Sequence, residues 1–281
     1  MSFAIATKIA RRELRGGLKD FRIFLACLIL GIAAIAGVGS VRTAIEQGLR
    51  NEGATILGGD AELEFVYRYA SEDERAWLAT NAVTLSEIVK FRSMAVTGEG
   101  ETSQRALTEV KGVDAAYPLY GSVSLSPDMP VAKALEAVDG VPGAVIGKLL
   151  ADRLGLTIGS TFRLGTHEFR LNAFLLKEPD AASDFSFAPR TIVRAADLDG
   201  SGLLGPGSLF DSYYRFTVAP QTDLRALMAD AKARFSETGL HWRDKSNGAP
   251  SVTRFVERIA SFLVLVGLAG LAVGGIGVSS A

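Results

Sequence analysis

The sequence predicts a membrane protein in which two transmembrane α-helices flank an α+β extracytoplasmic domain of two lobes. Three observations carry this prediction. FRIFLACLILGIAAIAGVGSV holds no charge between Arg22 and Arg42, and the chain from Ile259 to Ala281 holds none at all. About 20 apolar residues are what a helix needs to cross roughly 30 Å of hydrocarbon. Between these runs, helical and strand patterns are interspersed without a long structureless gap, as in an α+β domain. The expected parts are a cytoplasmic amphipathic helix (1–20), a first span (21–41), an extracytoplasmic domain with helical stalk segments at both ends (42–254), and a second span cut short at the end of the sequence (255–281).

Residues 1–20 place Phe3, Ala6, Ile9 or Ala10 and Leu14 on one helical face and Lys8, Arg11, Arg12 and Arg15 on another. That pattern suits a helix lying in the membrane interface with its basic face toward lipid headgroups. Gly16-Gly17 supplies an elbow before the span. A cleaved secretory signal would also explain an early apolar run, and Ala34-Ile35-Ala36 offers a cleavage pattern, but an h-region is normally about 7–15 residues and this run is longer. Lys8, Arg11, Arg12, Arg15, Lys19 and Arg22 precede the span against Glu13 and Asp20, while charges after it balance, so the N-terminus is expected in the cytoplasm.

Val38, Val41, Ile45 and Leu49 recur at helical spacing, as do Val252, Val256 and Ile259. Two such seams can pack as a stalk; the alternative is that each is the edge of the domain core. Within the domain, DAELEFVYR alternates like a strand. ASEDERAWLATNA reads as a helix capped by Ser71 with Glu74 three residues on. SEIVKFRSMAVT and TSQRALTEVKGVD flank GEGE as a hairpin. VAKALEAV and GKLLADRLG read as helices, TFRL and HEFRLNAFLLKE as strands paired around Gly165-Thr166, and RTIVRAADL and SYYRFTVA as further strands. TDLRALMADAKARF closes with a helix capped by Thr222. In the second span, Gly267, Gly270, Gly274 and Gly277 recur at spacings of three and four, and Ala33 and Gly37 are spaced by four in the first. Such small-residue faces let another helix approach closely, although glycine is also common in spans generally.

Chemistry is expected elsewhere than in this chain. A formal net charge of -1 without a basic stripe gives no footprint for nucleic acid. Cys27, the only cysteine, lies in the first span, so the exported part cannot form an internal disulfide. His167 and His241 are far apart and make no zinc pattern. No G-x-S-x-G elbow occurs. Glu72-Asp73-Glu74 and Glu178-Pro179-Asp180 read as a solvated helix start and a loop rather than catalytic carboxylates. GAVIGKLL fails as a phosphate loop, because three residues separate its glycines and Leu149 follows Lys148. No catalytic residue, cofactor or metal site is expected, and the chain is read as a non-enzyme.

IARRELRGGLKDFRIFLACLILGIAAIAGVGS, ILGGDAELE, VKGVDAAYPLYGSVSL, LLADRLGLTIGSTFRLG, RDKSNGAPSVTRFVERI and LVGLAGLAVGGIGVSSA, in that order, resemble the N-terminal portion of an FtsX-like ABC transporter permease with a MacB-type periplasmic core, of the large YbbP-like kind. The resemblance implies a bacterial inner-membrane subunit with residues 42–254 in the periplasm. It implies mechanotransmission from a separate cytoplasmic ABC ATPase to that domain, with lipid or hydrophobic-molecule extraction or export as the work done. Membrane lipid and a second permease copy are the other implied partners. LADRLGLTIGSTFRLG would belong to a smaller β-rich lobe inserted in a larger α+β lobe. The ATPase-docking loop would lie beyond residue 281. Two other classes stay open: a periplasmic signalling protein, and a membrane activator of a cell-wall hydrolase, a role the resemblance to the broader family also allows.

Overall fold

The computed structural model describes residues 52–100, 103–181, 188–205 and 207–247, with positions 29, 32, 33, 36, 37, 39, 40, 43, 44, 47, 48, 255, 258–265, 268 and 269. Residues 49–249 form one compact unit; residues 1–48 and 250–281 form another. In the second of these, the described residues are helical, and among the described residues no helix is long and apolar enough to cross a membrane. Most of both predicted spans and all of the amphipathic helix lie outside the described residues.

Among the described residues, the 49–249 unit has ten strands: β1 (Ala61–Val66), β2 (Thr84–Thr97), β3 (Gln104–Val113), β4 (Ser124–Ser126), β5 (Gly143–Gly147), β6 (Thr161–Leu164), β7 (His167–Lys177), β8 (Arg190–Arg194), β9 (Phe210–Thr217) and β10 (His241–Asp244). After β1 its α-helices are α1 (Glu72–Asn81), α2 (Val131–Ala134), α3 (Lys148–Arg153) and α4 (Leu224–Phe235). The strands lie in the order β10-β1-β9-β2-β3-β8-β5-β7-β4, and β6 pairs with both β2 and β7. That last pairing closes a ring of six strands, β2-β3-β8-β5-β7-β6, and closure removes sheet edges that would otherwise be exposed.

Alternation explains which faces are buried. Leu63, Phe65, Tyr214 and Phe216 point to one side of β1 and β9 and pack with Trp77 and Leu78 of α1 and Leu227, Ala231 and Phe235 of α4. A separate core joins Val89, Phe91 and Ala95 of β2 to Ile146, Phe162, Leu164, Phe169, Leu171 and Val193 of the ring, with Leu150 and Ala151 of α3 and Leu154 just after it. A third cluster, including Ile88, Val113, Tyr117, Leu135, Ile192 and Tyr213, is covered by the connection between β3 and β5. The expected β-rich lobe is therefore present as the ring, with LADRLGLTIGSTFRLG contributing to its core, but the two lobes share one sheet. The reason is β2, whose 14 residues pair with β9 over the first part and with β6 near the end.

Local readings from the sequence fare unevenly. Ser71 and Glu74 form the capping box at α1. The β2–β3 hairpin and the β6–β7 pair occur as expected, and Gly165 takes a positive φ of 58° at the latter turn, a conformation most side chains resist. The cap of α4 is corrected: Asp223 accepts from the amides of Arg225 (2.9 Å) and Ala226 (3.4 Å), one residue after the predicted Thr222. A carboxylate competes well at this position because it accepts from two amides and complements the helix dipole. VAKALEAV holds only a four-residue helix, because Leu135 ends it and the chain turns toward Val138 and Val141, which bridge each other. In GAVIGKLL, the first five residues are β5, inside the ring, and the helix begins at Lys148.

Candidate functional site

The sequence enters and leaves the unit at one place. Residues 52–57 are helical, and the amides of Gly58 and Gly59 both bond to the carbonyl of Ala54, ending that helix and turning the chain into β1. At the other end of the unit, β10 pairs antiparallel with β1, Ala61 opposite Asp244. The incoming and outgoing segments are therefore neighbours. Lys245 donates its backbone amide to the carbonyl of Asp60 (2.9 Å) and its ammonium to Asp60 Oδ1 (3.0 Å). Asp60 Oδ2 accepts from the amide of Val218 (3.0 Å). Gly53 packs so closely that a Cβ there would collide with the carbonyl oxygen of Lys245. Trp242 anchors β10 edge-on to Trp77 (6.4 Å) and Phe216 (6.0 Å) in the core beneath α1 and α4.

Beside this junction, the face of the sheet opposite α1 and α4 carries a buried charge network. Glu62 on β1 accepts from Arg215 Nε on β9 (2.7 Å) and pairs with Arg243 on β10 (2.9 Å). Arg215 also pairs with Asp180, in the connection after β7. Lys111 on β3 donates to Asp180 (2.6 Å), Glu178 (3.0 Å) and Tyr117 (2.9 Å), and the Tyr117 hydroxyl donates to Asp180 (2.9 Å). Arg190 on β8 reaches Glu178 (2.7 Å) and Glu109 (3.3 Å). Lys111, Arg215, Glu62 and Asp180 are all at most 1% exposed. Burial alone would raise the Asp180 carboxyl; Lys111 and Arg215 more than reverse this and hold it well below the usual carboxylate range. Burial works against Arg215 too, yet Glu62 and Asp180 push its proton affinity above the usual guanidinium value. These groups hold one another. What they can do is join β1, β3, β8, β9, β10 and the connection after β7 into a unit that resists separation, since opening any pair strands a buried charge.

The model of the MacB-like periplasmic core domain matches residues 23–234. The chain belongs to this family. It is 29% identical over 197 residues to the uncharacterized ABC transporter permease YbbP of Escherichia coli K12, covering 67% of this chain and 22% of that protein. The chain thus spans about a fifth of the length of that curated relative. Among solved structures it is similar to the periplasmic region of MacB from Actinobacillus actinomycetemcomitans (TM-score 0.43, 10% identity, covering 71% of this chain and 94% of that one). It is also similar to the extracellular domain of the ABC-type transporter YknZ from Gram-positive bacteria (TM-score 0.41, 9% identity, covering 66% and 100%).

The residues singled out in the sequence fall both inside and outside this MacB-like core. Ala33 and Gly37 are helical and exposed, and Ile259 is helical and 43% exposed. Gly267, Gly270, Gly274, Gly277, Val38, Val41, Ile45, Val252, Val256, Lys8, Arg11, Arg12 and Arg15 lie outside the described residues. His167 Nδ1 lies 3.1 Å from the carbonyl oxygen of Asp197, and His241 sits on β10 opposite Glu64. Lys148 pairs with Asp152 and lies over the Phe174 ring (5.2 Å). Among the described residues no group of three or more His, Cys, Asp or Glu is arranged to hold a metal ion.

Glu178-Pro179-Asp180 is a loop, as read from the sequence, but both its carboxylates are buried. Glu74, read as part of a solvated helix start, is also buried, gripped by both terminal nitrogens of Arg68 (2.7 and 2.8 Å). One signal in the sequence pointed to the network. Lys111 and Arg215 each interrupt an apolar strand, VKGV and YYRF, at an interior position, and a cation there requires a buried partner.

Proposed function

We propose that this chain is the N-terminal portion of an ABC transporter permease subunit that passes ATP-driven motion of a separate cytoplasmic ATPase to its periplasmic domain. The observation that supports this most is the junction at Asp60 and Lys245. Both ends of the domain meet there on adjacent antiparallel strands, so a displacement of either flanking segment acts on β1 and β10 together and, through the charge network, on β9, β3 and β8. A domain that only displayed a binding surface would not require its two ends to be locked to each other. In this reading residues 42–254 lie in the periplasm of a bacterial inner-membrane protein, and ATP is hydrolysed by the partner. Stalk packing through Val38, Val41, Ile45, Val252, Val256 and Ile259 carries the motion. The glycine faces of the spans, Ala33 and Gly37 in the first and Gly267, Gly270, Gly274 and Gly277 in the second, contact neighbouring helices. Lys8, Arg11, Arg12 and Arg15 hold the membrane surface. The work is extraction or export of lipids or other hydrophobic molecules, with a second permease copy completing the assembly.

The test is Gly53→Ala in the full-length permease co-expressed with the ATPase of the same operon. The added methyl forces the incoming helix away from Lys245. We expect the variant to insert, to co-purify with the ATPase and to sustain ATP hydrolysis, while the transport-dependent phenotype is lost. Failure of the wild-type permease to retain an ATPase on affinity purification would remove the transporter reading. Full complementation by stably inserted Gly53→Ala would remove the mechanical one.

A further inference from the structure

The segment Glu178-Pro179-Asp180 is linked to the incoming helix by two routes, through Gly121 and through Arg215. On one side, Pro179 lies against Gly121, where an added Cβ would stand 2.6 Å from Pro179 Cβ and 3.3 Å from Thr55 Cγ2 of the incoming helix. On the other, Asp180 holds the Arg215 guanidinium, which lies so close under Gly58, in the turn ending that helix, that a Cβ there would be 2.7 Å from its terminal nitrogen. The segment itself is held by ion pairs, Lys111 and Arg215 on Asp180 and Lys111 and Arg190 on Glu178, with the Tyr117 hydroxyl donating to Asp180.

From this arrangement we infer that residues 178–180 form an ion-paired latch whose closed state is set by the position of the incoming helix. Thr55 and Gly58 are three residues apart, about one helical turn, so the same end of the helix faces both Gly121, on which Pro179 packs, and Arg215, which holds Asp180. A shift of that end displaces Pro179 through Gly121 and Arg215 through Gly58 together. The buried pairs do not stretch gradually: in a low-dielectric site a carboxylate either keeps its cation or needs water, so the segment switches between held and released. Release separates residues 178–180 from Lys111 on β3, Arg190 on β8 and Arg215 on β9. The latch deepens the mechanical reading proposed above and rests on it for its biological use, but its coupling to the helix is a property of the domain alone.

Coupling between two segments is reciprocal, which gives the test. Hydrogen exchange is followed by mass spectrometry on the full chain in detergent micelles, without ATPase, for wild type, Asp180→Asn and Thr55→Ala. Asp139→Asn, which removes an exposed partner of Arg170, serves as the control. Asp180→Asn should raise exchange about tenfold in peptides covering 52–58 as well as 178–181, and Thr55→Ala should raise it in 178–181, while β6 and α3 keep wild-type protection. Asp180→Glu, which keeps the charge, should fall between wild type and Asp180→Asn at both segments. Faster exchange confined to the mutated segment would overturn the latch, and so would an equal rise in every peptide, which would show only a loss of global stability. Reciprocal exchange together with full complementation by Gly53→Ala would leave the latch standing and sink the functional reading.

Discussion

Glu74 shows how one side chain can serve two levels of structure. Its carboxylate closes the capping box by accepting from the amide of Ser71 (2.7 Å), and it also accepts from both terminal nitrogens of Arg68. Arg68 reaches onward to the carbonyl of Thr238, so the pair ties the start of α1 to the segment after α4. Burial would raise the Glu74 carboxyl, but the Arg68 and Ser71 hydrogen bonds win and bring it down to about 2. A carboxyl whose folded value is depressed contributes stability that is complete above its unfolded value of about 4.3 and disappears as pH falls toward the folded one. Asp180 is shifted in the same direction and adds to the same acid limb. Glu74→Gln should therefore cost about 1–3 kcal/mol at pH 7. Its melting temperature should fall less steeply than wild type between pH 4.5 and 2.5, measured by circular dichroism; parallel acid limbs would show that the pair contributes nothing ionic.

At the scale of the element, α4 tests how far a cap can be assigned from its amides. Asp223 bonds to the second and third residues after it, while Thr222 donates its own amide back to Ala219 in the preceding turn. Asp223→Ala should destabilise the domain by about 1 kcal/mol and Thr222→Ala by a few tenths, compared by urea denaturation. Equal effects would return the cap to Thr222. The same scale explains the short helices. α3 has only six residues and could not persist alone, so its Leu150 and Ala151, with the C-cap Leu154, must fix it by packing into the ring core.

For the whole molecule, orientation is the property with the widest consequences. The basic excess before Arg22 predicts that α1 faces the periplasm. In a Cys27→Ala background, Ser71→Cys in intact spheroplasts should react with a membrane-impermeant maleimide, and Ser2→Cys should react only after lysis. The opposite pattern would put the sheet in the cytoplasm and end the periplasmic reading. Ser71 is exposed at the start of α1, so its labelling reports access to the compartment rather than opening of the fold.

The sequence by itself determined the features that depend on neighbours along the chain. Alternation in DAELEFVYR and SEIVKFRSMAVT, the Ser71–Glu74 spacing, the turn at Gly165-Thr166 and the order of motifs that carries the family resemblance each involve residues close in sequence, whose periodicity and caps are local physics. Only the tertiary structure decided the closure of the ring through β6, the pairing of β10 with β1 and the fate of Glu178 and Asp180. β10 is four residues long, too short to carry a periodic signal, and becomes a strand because β1 offers it a partner and the aromatic core takes up Trp242. Asp180 stands 35 residues from Arg215 and 69 from Lys111, separations at which nothing in the sequence marks a pair. A carboxylate in a loop reads as solvated until the fold removes the water and supplies the cations. That exchange of hydration for buried partners is a property of the assembled sheet, and it places the network beside the junction where the two ends of the domain meet.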